Sequence, residues 1–83
     1  MKLRIAELQK KNKFSNEELG NKINVSDQQV SNYKTSARMP PLKTLEKIAD
    51  AFNCEFIELF EAPIGYIHDY DPDTGEWLGI RKK

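Results

Sequence analysis

The chain has 83 residues, 31% of them charged, with 13 Lys and Arg balanced by 13 Asp and Glu. That length holds one modest core and leaves no room for a second domain of ordinary size. No window approaches the roughly 18 consecutive apolar residues of a membrane span, the start MKLRIAELQKKNK mixes charge with apolar residues instead of forming a signal core, and the lone Cys54, with only His68 for company, excludes an internal disulfide or a zinc site.

Ile5 and Leu8, set among charges over residues 3–12, predict a first amphipathic helix. Ser15 followed three residues on by Glu18, with Phe14 and Leu19 at the flanking apolar positions, is the signature of a capping box with a hydrophobic staple. A second helix should therefore start there and end near Ile23. The same arrangement recurs at once, with Ser26 and Gln29 as cap partners and Val25 and Val30 as the staple, so a third helix begins almost where the second stops and runs to about Thr35. Two capped helices joined by so short a turn must cross steeply, as in a helix-turn-helix.

Pro40 and Pro41 end that segment. Leu42, Leu45, Ile48, Ala49 and Phe52 then predict a fourth helix with a buried stripe ending near Asn53, and Phe56, Leu59 and Phe60 a short fifth. Beyond Pro63 the pattern becomes extended, around the turn Asp71-Pro72-Asp73-Thr74-Gly75, which predicts a β-hairpin with positive φ at Gly75. The expected architecture is all-α: a five-helix domain over residues 1–61 with a C-terminal β-hairpin extension over 62–83. Charge is segregated. Residues 1–13 carry five cations against Glu7 alone, residues 28–47 carry Lys34, Arg38, Lys43 and Lys47 against Glu46, and acids gather in the hairpin at Asp69, Asp71, Asp73 and Glu76.

From Leu8 to Leu45 the chain resembles the Xre and Cro/C1 family of phage-type repressors, through Leu19, Val25, Ser26, Val30, Ser31, Arg38, Pro40, Leu42 and Leu45. The resemblance implies a five-helix DNA-binding domain whose third helix enters the major groove. Asp27, Gln28, Gln29 and Asn32 then become the base-reading positions, and an amide offers the paired donor and acceptor that adenine requires. Expected phosphate contacts are Asn16, where the family usually has Gln, with Ser26, Lys34, Arg38 and Lys43. Three departures stand out: Gln9 and Lys34 replace the Arg and Glu that pair in the family, Gly20 replaces an Ala and should slightly weaken helix two, and Asp27 would repel phosphate while remaining able to accept from cytosine N4.

The hairpin lies outside the resemblance. Its Asp residues do not make a calcium loop, because Gly75 falls one position late, Pro72 intervenes and the closing acidic position is Ile80. Tyr66, Ile67, Tyr70, Trp77, Leu78 and Ile80 are too many apolar residues for a free tail; they point to a dimerisation element, the alternative being a hairpin folded back on its own helices. The expectation is a cytoplasmic, sequence-specific transcriptional regulator, a repressor acting as a homodimer on an inverted repeat in double-stranded DNA, with no metal, cofactor or membrane association. One His, one Cys and no paired acids in a pocket give no catalytic constellation. An antitoxin-like module that binds a protein partner with the same fold is the rival reading.

Overall fold

The computed structural model describes residues 2–83. Four α-helices, α1 (Ile5–Asn12), α2 (Asn16–Ile23), α3 (Asp27–Lys34) and α4 (Leu42–Phe52), are followed by a 3₁₀ turn at Phe56–Leu59 and by two antiparallel strands, β1 (Tyr66–Tyr70) and β2 (Trp77–Lys82). The expected fifth helix is thus corrected to four residues of 3₁₀ geometry. Asn53 closes α4 in the left-handed region and Phe60 is already extended, in an isolated bridge to Leu3. Too few residues lie between those two points to propagate an α-helix. The same bridge, with bonds from the Arg4 amide to the Leu59 carbonyl and from the Glu61 amide to the Lys2 carbonyl, holds Leu3 extended and delays α1 to Ile5.

Each helix contributes one apolar stripe to a common core: Ile5 and Leu8, Leu19 and Ile23, Val30 and Tyr33, then Leu45, Ile48, Ala49 and Phe52, closed by Leu59. Phe14 stacks on Phe52 with centroids 5.8 Å apart, which anchors the α1–α2 loop to α4. Leu42 departs from the expected stripe. It is the first residue of α4 and lies beyond the core edge, so it stays exposed.

The start of α2 has the full capping box: Ser15 Oγ accepts from the Glu18 amide, and Glu18 Oε1 accepts from the Ser15 amide. At α3 only half of it forms, Ser26 Oγ accepting from the Gln29 amide. Between them, Asn24 ends α2 at φ 63° and the chain doubles back so closely that a Cβ on Gly20 would stand 2.6 Å from the Val25 carbonyl oxygen. The glycine is therefore what admits the tight α2–α3 turn, and its role is steric more than a loss of helix propensity.

In the hairpin His68 faces Ile80 and Tyr70 faces Trp77, with a bulge after Asp69 that puts Leu78 out of register. Asp71 organises the turn: its Oδ1 accepts from the amides of Asp73 and Thr74, and these bonds hold its carboxyl below the usual value of 3.8. Gly75 completes the turn at φ 76°, donating its amide to the Asp71 carbonyl.

The hairpin docks on its own domain. Trp77 Nε1 donates to His68 Nδ1 (3.0 Å), so the proton of the neutral ring sits on Nε2, which donates to the Phe60 carbonyl (2.6 Å). Arg4, only 9% exposed, donates to the Glu58 carbonyl (2.8 Å), the Tyr70 hydroxyl (3.0 Å) and the Glu7 carboxylate (3.1 Å). Tyr70 in turn donates to Glu58 Oε2, while Lys11 lies 3.7 Å over the Tyr70 ring and donates to the Gly75 carbonyl. Two members of the basic N-terminal cluster thus hold the hairpin down.

Candidate nucleic-acid interface

One side of α3 is fixed by Val30 and Tyr33, both buried in the core. Gln28, exposed, and Asn32, half-exposed, lie opposite that side, and Asp27, exposed, and Gln29, half-exposed, lie on its two flanks. Their amides form a chain: Gln28 Nε2 donates to Asn32 Oδ1, and Asn32 Nδ2 donates to Gln29 Oε1, each at 3.2 Å. Oε1 of Gln28 and Nε2 of Gln29 are the ends of that chain, one acceptor and one donor. Asp27 occupies the first turn of α3, where a negative charge complements the helix dipole.

Of the five expected phosphate positions, two are joined. Asn16 opens α2, and its Oδ1 accepts both from Gln9 Nε2 (2.9 Å) and from Lys34 Nζ (3.1 Å), which orients the amide and leaves Nδ2 as its available donor. This three-residue link ties α1, α2 and α3 together; Gln9 and Lys34 stood out from the sequence as a changed pair, but not the Asn16 amide that joins them. Its cost is visible, because Gln9 is 5% exposed and its Oε1 has no hydrogen-bond partner. Ser26 sits at the cap of α3, and among the described residues its hydroxyl donates to no acceptor. Arg38 is exposed in the α3–α4 loop, and its backbone amide donates to the Asn32 carbonyl in the last turn of α3. Lys43 is exposed in the first turn of α4, and no hydrogen bond or ion pair joins it to the other four among the described residues.

Of the six apolar hairpin residues, Tyr70 and Trp77 face the domain, and Ile67 and Ile80 are half-buried. Tyr66 and Leu78 remain exposed. Cys54 lies half-buried after α4, where burial, then the Glu58 charge, push its thiol up to about 11. At neutral pH it is a protonated, poor nucleophile. No helix is long and apolar enough to cross a membrane, and among the described residues no three His, Cys, Asp or Glu side chains gather as a metal site.

The helix-turn-helix family model of the Xre and Cro/C1 type matches residues 5–59, from the first residue of α1 to the last of the 3₁₀ turn, and the chain belongs to that family. It is accordingly a DNA-binding regulator of the Xre type, from a family that is regulatory and not enzymatic. The hairpin falls outside the matched segment. No curated protein matches the chain.

Proposed function

We propose that this regulator is a sequence-specific transcriptional repressor of the cytoplasm that binds an inverted repeat as a symmetric dimer, one α3 to each major-groove half-site. The observation that carries the reading is the linked amide row of Gln28, Asn32 and Gln29 on the part of α3 that the core leaves uncovered. Such a row supplies the donor–acceptor pair that adenine N6 and N7 require, and Asp27 adds an acceptor for cytosine N4. Asn16 Nδ2, the Ser26 hydroxyl, Lys34, Arg38 and Lys43 flank it as phosphate ligands that set register without reading sequence. Repression follows from occupancy alone, since a dimer seated on a promoter excludes other proteins from the same groove.

Selection of bound duplexes from a random pool at moderate salt tests this directly. An enriched inverted repeat with half-sites about one helical turn apart is expected. Gln28→Ala and Asn32→Ala should each cost about 1–3 kcal/mol of binding to that repeat and relax the preference at one base position. Lys34→Ala should weaken all sequences alike and flatten the dependence on salt by about one phosphate per half-site. A preference that survives the Gln28→Ala, Asn32→Ala double change would remove α3 from the reading role.

A further inference from the structure

The main chain of Gln9 is held in place, because its carbonyl accepts from the amides of Lys13 and Phe14 and so closes α1. Its side chain is buried where α1 meets α2 and α3: Nε2 donates to Asn16 Oδ1, while Oε1 meets no donor among the described residues. A buried amide with one end unpaired lowers stability, and a methionine would fill a space of that length with no strong polar atom to satisfy. Packing therefore does not account for Gln9; what its Nε2 does to Asn16 can. Lys34 Nζ converges on the same Oδ1, and with two donors on that oxygen the planar amide has one favourable orientation, since the flipped form would turn Nδ2 against both. Nδ2 bonds nothing among the described residues and is not one of the buried unpaired atoms, so on half-exposed Asn16 it is open to solvent.

We propose that Gln9 is a positioning residue for DNA binding: from inside the domain it holds the Asn16 amide so that Nδ2 and the Lys34 ammonium are presented side by side to one phosphate. The inference rests on Asn16 and Lys34 being phosphate ligands, as assigned above, and says what makes the two act together. A phosphate oxygen takes only donors. An Asn amide free to turn offers its oxygen as readily as its nitrogen, and a lysine on a flexible four-carbon stem wanders. The bond from Gln9 fixes the first, and the fixed oxygen then localises the second. The ordering is thus complete before DNA arrives, which lowers the cost of binding. Gln9 itself is buried and neutral; it touches no phosphate, adds no charge and acts through Asn16 alone. The unpaired Oε1 is the stability given up for that arrangement.

Fluorescence anisotropy of the full chain with a labelled duplex pool of random sequence tests the role, because a phosphate contact acts on every sequence. Gln9→Met should weaken binding by about 3- to 10-fold, the worth of one hydrogen bond, yet leave the urea midpoint at or above that of the parent, since the unpaired oxygen goes with the lost bond. The slope of affinity against salt should stay that of the parent, because no charge changes. In an Asn16→Ala background the same substitution should cost no further affinity, as a residue acting through Asn16 requires. Affinity equal to the parent's, or a loss that adds in full to that of Asn16→Ala, overturns the proposal, and in the second case a lowered urea midpoint marks Gln9 as part of the scaffold only. The single variants separate this failure from that of the reading beneath it. If Asn16→Ala and Lys34→Ala bind as the parent does, the phosphate assignment falls and the proposal with it; if they bind weakly while Gln9→Met binds as the parent does, the assignment stands and the positioning role alone is lost.

Discussion

A methyl group at position 20 would meet the Val25 carbonyl oxygen at 2.6 Å, inside any tolerated contact and against backbone that cannot swing aside. Gly20→Ala should therefore lower stability by about 1–3 kcal/mol, overriding the gain of about 1 kcal/mol that helix propensity alone assigns to alanine. Urea unfolding checks the sign, and a higher midpoint for the alanine variant would contradict the close approach. Cys54 gives a second residue-scale expectation. Its folded-state pKa is raised from 9.0 to about 11, so the unfolded chain loses the proton first and stability falls as pH climbs through that window. Tyr70 is raised too, chiefly by burial, and acts in the same direction. Cys54→Ser should accordingly make the alkaline loss of stability shallower without abolishing it, as thermal melts between pH 8 and 11 would show. Neither effect was legible in the sequence, because each depends on what a fold brings near one atom. The Gln9–Asn16–Lys34 link is similar: the altered family pair was visible, but not the amide placed between its two replacements.

Helix starts were the most legible elements, because their signals are local. Ser15 with Glu18, and Ser26 with Gln29, satisfy exposed amides three residues away in any surroundings. Where an element depends on distant partners the pattern misled. Leu42 shares the spacing of the α4 stripe but stands past its end, and Phe56, Leu59 and Phe60 suggested a helix where Phe60 is drawn into an extended bridge with Leu3. The hairpin was legible as a hairpin from Pro72 and Gly75, whereas its seat was not, since the bond from Arg4 to Tyr70 spans 66 residues. Asp71 should control its folding. Its carboxyl is held below the usual value, so the turn is favoured above pH 3.8 and loses that support as pH falls through the lower folded-state value. Asp71→Ala should destabilise the hairpin at neutral pH and remove this acid dependence. Trp77, the single tryptophan, reports it by fluorescence, and coincident transitions in parent and variant would count against the turn's role.

At the scale of the molecule, the family segment and the hairpin behave as one body, because the buried Arg4 guanidinium holds the 3₁₀ turn and β1 together. Residues 1–61 alone are expected to fold with a melting temperature several degrees below that of the full chain, since truncation takes Tyr70 from Arg4 and Glu58 and uncovers Phe60; differential scanning calorimetry measures the difference, and equal melting temperatures would show that the hairpin contributes nothing to the domain. The zero net charge was equally a whole-chain property with little local meaning. The half-formed capping box at α3 carries a further implication. Gln29 could complete it by turning back to the Ser26 amide, as Glu18 does at α2, but its side chain instead accepts from Asn32 on the exposed face. Under the proposed reading role of α3, stability and recognition compete for one side chain there, and the box stays half-formed. Gln29→Glu would close the box and firm the helix, at the loss of the one amide donor left at the end of the row. Selection for robustness alone and selection for operator binding would therefore pull position 29 in opposite directions.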